Sequence, residues 1–368
     1  MKVLVTGAKG FIGKNLVLRL KEVLGLEVLT FTRGDSSARL QVALSVADAV
    51  IHLAGESRPN SLDAFELINA GMTRRLCHDL QALEKSIPVY LASSVQAELD
   101  NPYGRSKLMA EEALAQLAIK NGNPVAIYRL PGVFGKWCKP NYNSVVATFC
   151  HNKANNLPVQ VNDVSKLVRL VYIDDVINSL MALMAKPWKG IIRPDVFPQY
   201  SITLGDLYDQ IDAFTNCRSS LVSERVGTGL TRALYATFVS YLPKDKFSYT
   251  LPAYGDERGI FVEILKTPDA GQFSFFTVHP SITRGGHYHH TKTEKFLVIK
   301  GKARFGFRHM LTNDVHYLIT EGAKPEVVET IPGWAHDITN IGEEEMVVML
   351  WANEIFDRLS PDTIVSKV

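Results

Sequence analysis

The sequence predicts two folds in series: an α/β half with a doubly wound parallel sheet, then an all-β half. Three observations predict this. Over about the first 180 residues, short apolar runs alternate with segments of helical period, the signature of right-handed βαβ units. A glycine triplet falls between the first such run and the first helix. Beyond about Ser240 the runs become short, rich in β-branched and aromatic residues, and separated by Gly, Pro, Asn and Asp, as in an antiparallel sandwich or barrel.

In chain order, the α/β strands are Lys2–Thr6, Ala49–Gly55, Val89–Ser94 and Val125–Pro131, apolar runs that end in small residues. Helical period marks Phe11–Leu24 and Leu108–Lys120. Strands of the β-rich half are Phe273–His279, Lys295–Lys300, Ala303–Arg308, Val327–Ile331 and Glu345–Trp351. The stretch Tyr241–Phe247, with its proline and clustered charge, is the candidate boundary, giving domains 1–243 and 244–368. Segment 193–240 carries mixed signals and receives no assignment.

At roughly 150 residues per domain, 368 residues fit two domains. Forty Lys+Arg against 38 Asp+Glu leave no basic excess for nucleic acid. A 46% hydrophobic, 21% charged chain is globular rather than disordered. The four scattered cysteines form no CxxC, which fits a reducing compartment. No secretory leader is read in MKVLVTGAKGF, and no run approaches ~18 apolar residues. The expectation is a soluble cytoplasmic protein with no membrane partner.

Thr6-Gly-Ala-Lys-Gly-Phe-Ile-Gly13 follows a strand and opens a helix. Glycines there allow a tight turn and bring backbone N–H groups to a pyrophosphate at the positive helix end. Gly7, Lys9, Gly10, Phe11, Ile12 and Gly13 are therefore expected cofactor contacts, with Leu53, Ala54 and Gly55 of the third strand. At the end of the second run, Arg33 stands where an acid would hold an NAD ribose. Arginine suits a 2′-phosphate, so the expected cofactor is NADPH.

Tyr103-Gly-Arg-Ser-Lys107 puts a phenol and an ammonium at i and i+4, on one helical face. Asn101-Pro102 reads as an N-cap with proline at the first helical position. A neighbouring ammonium favours the phenolate, so Tyr103 is expected to have a lowered pKa and to act as acid or base. The glycine loop, His52-Leu-Ala-Gly55, the serine pair Ser93-Ser94, YxxxK and Tyr172-Ile-Asp-Asp-Val176 together resemble the extended short-chain dehydrogenase/reductases, in their nucleotide-sugar branch. The resemblance covers about residues 1–240 and implies a Rossmann-type sheet. It implies that Ser94 orients the substrate carbonyl, with Ser93 as the alternative. Tyr103 donates the proton, and Lys107 tunes it and holds the nicotinamide ribose. Asn69 and Thr73 match the family's Asn-x-x-x-Thr.

Two departures narrow the reaction. Ser94-Val-Gln96 replaces the Thr-Asp-Glu of the branch's dehydratases, which points to reduction or C4 epimerisation. Only nine positions separate Ser94 from Tyr103, so the usual intervening loop is short. Arg169 lies one place out of register with the branch's arginine and receives no nucleotide role. The loop Phe134–Ser144, at the carboxyl edge of the sheet, is expected to line a sugar site through Asn141 and Asn143.

Gly285-Gly-His-Tyr-His-His-Thr-Lys-Thr-Glu294 and Pro332-Gly-Trp-Ala-His336 carry the second constellation. Strand alternation turns His287 and His289 to one face. With Glu294 and His336 they offer three imidazoles and a carboxylate to Zn²⁺ or a similar ion, and His290 is an alternate ligand. The paired motifs resemble those of the cupin superfamily, a jelly-roll barrel. Asp256–Glu263 and Arg284-Gly-Gly-His-Tyr resemble its 3,5-epimerase branch, which exchanges a proton beside a ketone in a nucleotide sugar. His287, Tyr288 and Lys295 are the acid/base candidates, and Arg258 and Arg284 the diphosphate candidates.

The pairing of the two halves resembles the bifunctional enzymes of capsule and O-antigen synthesis across essentially all 368 residues. That resemblance implies C3 epimerisation of UDP-2-acetamido-2,6-dideoxy-4-hexulose, then reduction at C4 with NADPH to the L-talose sugar. It also implies zinc in the cupin and a homodimer. The alternative is a nucleotide-sugar C4 epimerase/reductase with a non-catalytic cupin that senses sugar or dimerises.

Overall fold

A computed structural model describes residues 1–58, 61, 63–252, 254–256, 259–261, 265, 271–354 and 359–368. It divides into two compact units, Met1–Ser144 with Val168–Ser201, and Val145–Leu167 with Ile202–Val368.

The first unit is the expected parallel sheet. Strands β1 (Lys2–Thr6), β2 (Glu27–Phe31), β3 (Ala49–His52), β4 (Val89–Ser94) and β5 (Val125–Leu130) run in the order β2-β1-β3-β4-β5, with Ile191–Ile192 beyond β5. All its pairings are parallel. Residues of β1 and β3 are almost wholly buried, because helices cover both faces of such a sheet. Leu4, Val50, Leu91 and Ile127 pack with Leu76, Leu80 and Leu114 of the covering helices. The chain's turn at β1 feeds helix Phe11–Lys21 directly, and the Tyr103 helix runs Pro102–Asn121. Asn101 caps that helix, its Oδ1 accepting from Gly104 N at 2.8 Å, and Pro102 occupies the first turn.

The second unit holds the antiparallel jelly-roll sheets. One five-stranded sheet runs 248–250, 326–329, 294–300, 346–352, 272–278 in spatial order; the other runs 315–321, 302–309, 334–340, 283–288, 364–365. Phe296 and Phe305, from opposite sheets, pack with ring centroids 5.7 Å apart. Segment 193–240, unassigned from sequence, contains helices Leu204–Ser220 and Gly229–Val239. A buried ion network ties these helices to the first sheet. Arg218 and Lys295 both pair with Glu329, and Tyr235 Oη lies 3.5 Å from it. The helices therefore group with the β-rich half, and the boundary by contacts differs from the one at 243/244. Among the described residues no helix is long and apolar enough to cross a membrane.

Candidate functional site

The first unit carries a cleft of about 570 Å³ at the carboxyl ends of its strands, lined by Gly7, Gly10, Gly13, Ser94, Tyr103 and Lys107 among others. Gly7 sits at φ +68°, and a Cβ there would lie 2.7 Å from the Ala54 nitrogen. A Cβ on Gly13 would lie 2.3 Å from the Gly7 carbonyl. The loop is thus closed so tightly that only glycine fits, and the Gly10-capped helix presents free N–H groups to the cleft. Lys9, Phe11, Ile12, Leu53 and Gly55 also line it. Ala54 backs the loop rather than the cleft, its N donating to Thr6 Oγ1 at 3.3 Å.

Ser94 ends β4, and its hydroxyl bonds the Tyr103 phenol. Ser93 points the other way, donating to Glu111 Oε1 at 2.5 Å. Glu111 is also held by Arg129 at 2.6 Å. The serine left facing the cleft with Tyr103 is Ser94. Lys107 Nζ lies 5.9 Å from the Tyr103 ring centre and donates to the Ala92 carbonyl at 3.1 Å. Burial pushes Lys107 down to about 8, against the pull of Glu111. Burial raises Tyr103, and its hydrogen bond from Ser94 only partly offsets this. The lowered tyrosine pKa expected from sequence is thus reversed: desolvation outweighs a lysine whose own charge is disfavoured. A phenol that stays protonated is a proton donor in waiting.

Asn69 and Thr73 knit this wall together. Asn69 lies on a π-helical turn, Glu66–Gly71, that feeds helix Met72–Ala82. Its Nδ2 donates to Ser106 Oγ at 2.9 Å, and its Oδ1 accepts from Glu56 N at 2.8 Å. Thr73 Oγ1 lies 3.0 Å from His52 Nε2, and Thr6 Oγ1 2.7 Å from His52 Nδ1. Burial holds His52 down to about 3, so it is a neutral strut.

Arg33 is 78% exposed and pairs with Glu56 at 3.1 Å, beside rather than inside the cleft. Glu56 was not legible as a site residue from sequence. It lines the cleft and accepts a short hydrogen bond from Tyr142 of the loop after β5. Asn143 of that loop lines the cleft. Asn141 does not; it is exposed at φ +54° in the turn.

In the second unit His287, His289, Glu294 and His336 offer ligand atoms all within 4.8 Å of one another. The register pairs His287 directly with His336 across neighbouring strands, so their rings stand 4.7 Å apart. Glu294 reaches in from the opposite sheet. Its Oε2 lies 3.1 Å from His289 Nε2 and 3.4 Å from His336 Nε2. Burial alone would raise Glu294, but the two imidazoles hold it well below the usual carboxylate range. Burial holds His287 down to about 3, with the neighbouring histidines adding to the effect.

This donor set fits a divalent ion. His289 Nδ1 faces the carbonyl oxygen of Asp362, which only accepts, so Nδ1 carries the hydrogen. Nε2 of the neutral ring is then a lone pair aimed at a carboxylate, and a cation between them resolves the clash.

Several expected residues fall elsewhere. Lys295 follows Glu294 on a strand and so faces the opposite way, into the Glu329 pair. Tyr288 likewise turns from the cluster and packs against the His290 ring, 5.3 Å between centroids, and His290 is not among the four ligands. Lys292, not singled out from sequence, donates to Glu294 Oε1 at 2.9 Å. Arg284 is exposed over the Phe276 ring and donates to the Thr277 carbonyl at 3.1 Å. Arg258 and half of Asp256–Glu263 lie outside the described residues.

Residues 3–193 match the NAD dependent epimerase/dehydratase family. Residues 254–364 match the polysaccharide biosynthesis C-terminal domain. A relative from Pseudomonas aeruginosa named UDP-2-acetamido-2,6-beta-L-arabino-hexul-4-ose reductase is 54% identical over 368 residues, covering 100% of this chain and 99% of its own. The crystal structure of capsular polysaccharide assembling protein CapF from Staphylococcus aureus is 40% identical, with a TM-score of 0.68 over 100% of both chains. UDP-glucose 4-epimerase of Thermotoga maritima, 20% identical with a TM-score of 0.53, covers 59% of this chain and 83% of its own and shares the fold.

Proposed function

The chain belongs to the NAD dependent epimerase/dehydratase family, and from that premise we propose that it is a nucleotide-sugar 4-ketoreductase that also epimerises C3. The substrate is UDP-2-acetamido-2,6-dideoxy-4-hexulose, the 4-keto sugar class in the name of the Pseudomonas relative. The product is the L-talose sugar of a capsule or O-antigen route. The observation that carries this reading is the Ser94–Tyr103 pair with Lys107 beneath it, at the floor of a glycine-closed cleft.

The order of steps follows from chemistry. A ketone acidifies the neighbouring C–H; an alcohol does not. Epimerisation at C3 therefore precedes reduction at C4. In the reductase segment, 1–243, Ser94 orients the ketone and Tyr103 delivers a proton to its oxygen. Lys107 restores the phenol's proton relay and holds the cofactor ribose. The nicotinamide of NADPH, when bound, supplies the hydride, with Arg33 turned to the 2′-phosphate. In the cupin segment, 244–368, His287, His289, Glu294 and His336 hold the ion. A divalent ion held there, such as Zn²⁺, would supply positive charge beside the ketone oxygen. His287, the least buried of the four, is the proton-transfer candidate that the geometry favours. The enzyme works as a cytoplasmic homodimer.

The test is incubation with the 4-keto sugar in D₂O without NADPH, followed by mass spectrometry. Deuterium uptake at C3, lost on adding a chelator, is the expected result. NADPH added afterwards is consumed. Consumption without any uptake would leave a plain ketoreductase.

A further inference from the structure

The four ligands of the histidine centre come from two sheets and the connection between them, and that connection has an anchor of its own. His289–Lys292 forms no strand. Its backbone N–H groups converge instead on one carboxylate at the far end of the chain. His290 N donates to Asp362 Oδ1 at 2.9 Å, and Thr291 N and Lys292 N to Oδ2 at 2.7 and 2.8 Å. The Thr291 hydroxyl adds the carboxylate's fourth bond, at 3.1 Å from Oδ2. The Asp362 carbonyl takes the Nδ1 hydrogen of His289. One residue thus fixes the loop's path, the tautomer of a ligand and the direction of its Nε2. The tail is itself held in place. Ile364 and Val365 pair with Tyr288 and His287, and Ser366 N donates to the Gly286 carbonyl at 2.8 Å.

We propose that Asp362 is a positioning residue of the metal centre, the buckle by which the C-terminal strap sets His289 against Glu294. The inference rests on the metal reading above. The carboxylate is taken up by the loop's donors and is not among the clustered ligand atoms, so Asp362 is not a fifth ligand. Its effect is geometric: without the anchor, three N–H groups lose their acceptor, the loop relaxes and His289 leaves the site first.

The full chain with Asp362→Asn tests this, because the amide keeps the shape but cannot accept from all four donors. Co²⁺ replaces Zn²⁺ as the probe, since its visible absorption reports ligand number and geometry. Affinity is read by competition with a chelator, and the metal-free fold by circular dichroism in excess chelator. We expect Co²⁺ binding weakened about 10- to 100-fold, with altered absorption bands. Asp362→Glu, which keeps the charge, is expected to recover part of both, and decides the question if the asparagine variant does not fold. Wild-type affinity and bands in either variant would overturn the proposal, even if thermal stability fell. A wild-type chain that takes up no Co²⁺ would overturn the metal reading itself, and this inference with it.

Discussion

In the first unit the chemistry is local in sequence: one glycine loop, one strand end and one helical face. In the second it is assembled from two sheets, a loop and the chain's last residues. The two sites meet different demands. The cleft must admit a large anionic cofactor and a sugar, so it is open and built from backbone N–H groups and a helix dipole. On the proposed reading the histidine centre takes a small cation; three of its four residues are buried, and His289 is aimed by the Asp362 carbonyl. A site for a large ligand is written in local geometry. A site for a small ion is written in register.

The sharpest way to break this comparison is to show that the sites are not separable. Tyr103→Phe removes the proposed proton donor and leaves the cluster untouched. We expect NADPH oxidation with the 4-keto sugar to fall about 10³-fold, within the range for loss of a general acid. Deuterium exchange at C3 should persist at the wild-type rate. His336→Ala is the mirror case. Exchange should be lost together with bound metal, while reduction of pre-epimerised substrate continues. Loss of both activities in either variant would mean that the chemistry is shared between the two halves.

The same contrast governs what the sequence discloses. Lys2–Thr6 and Val89–Ser94 are strands to the residue, and the helix starts at its Asn101 cap, because small-residue ends, caps and glycines are local signals. Helix Leu204–Ser220 escapes because it buries only a stripe, such as Leu207, Ile211 and Phe214, between polar residues. Gly229–Val239 escapes because it is buried without a break from Ala233 to Val239 and so shows no amphipathic period. The four residues that cluster, His287, His289, Glu294 and His336, are legible from spacing, yet Lys295 is misplaced by treating neighbours on a strand as neighbours in space. Alternation separates Glu294 from Lys295, whereas His289, expected to alternate with His287, lies one residue past the end of that strand and reaches the cluster from the loop. Asp362 lies 73 positions from His289, and no local pattern links them. Glu56 follows a recognisable strand end, but its partner Tyr142 comes from 86 residues away.

A pH series sharpens the picture of the cleft. Burial holds Lys107 at about 8 instead of 10.5, so the native chain loses that proton first. Reduction should then decline about tenfold per unit as pH rises above about 8, where the cation is lost. Stability moves the opposite way. Between about 8 and 10.5 the unfolded chain binds a proton that the native chain has released, so this group's contribution to stability rises with pH. Lys107→Met should flatten both trends. They are followed by kcat/KM at varied pH and by urea midpoints at pH 8 and 10. Reduction that stayed level to pH 10 would show that the charge on Lys107 is not needed.

The smallest expected effect concerns the rim. Arg33 is exposed and already paired with Glu56, so reaching a 2′-phosphate exchanges one solvated partner for another. The net gain is modest, about 1.4 kcal/mol, or tenfold. Arg33→Ala should therefore raise the Kd for NADPH about tenfold and leave NADH nearly unchanged, as titration calorimetry would show. Glu56→Gln turns the argument round. It frees Arg33 at once, so NADPH should bind about two- to threefold tighter if the ion pair competes with the phosphate. It also weakens the Tyr142 contact, so the KM for sugar should rise in the same variant. Tighter NADPH with a poorer sugar KM would make Glu56 the point where the cofactor and sugar ends of the cleft meet. Unchanged NADPH affinity in both variants would place the 2′-phosphate elsewhere.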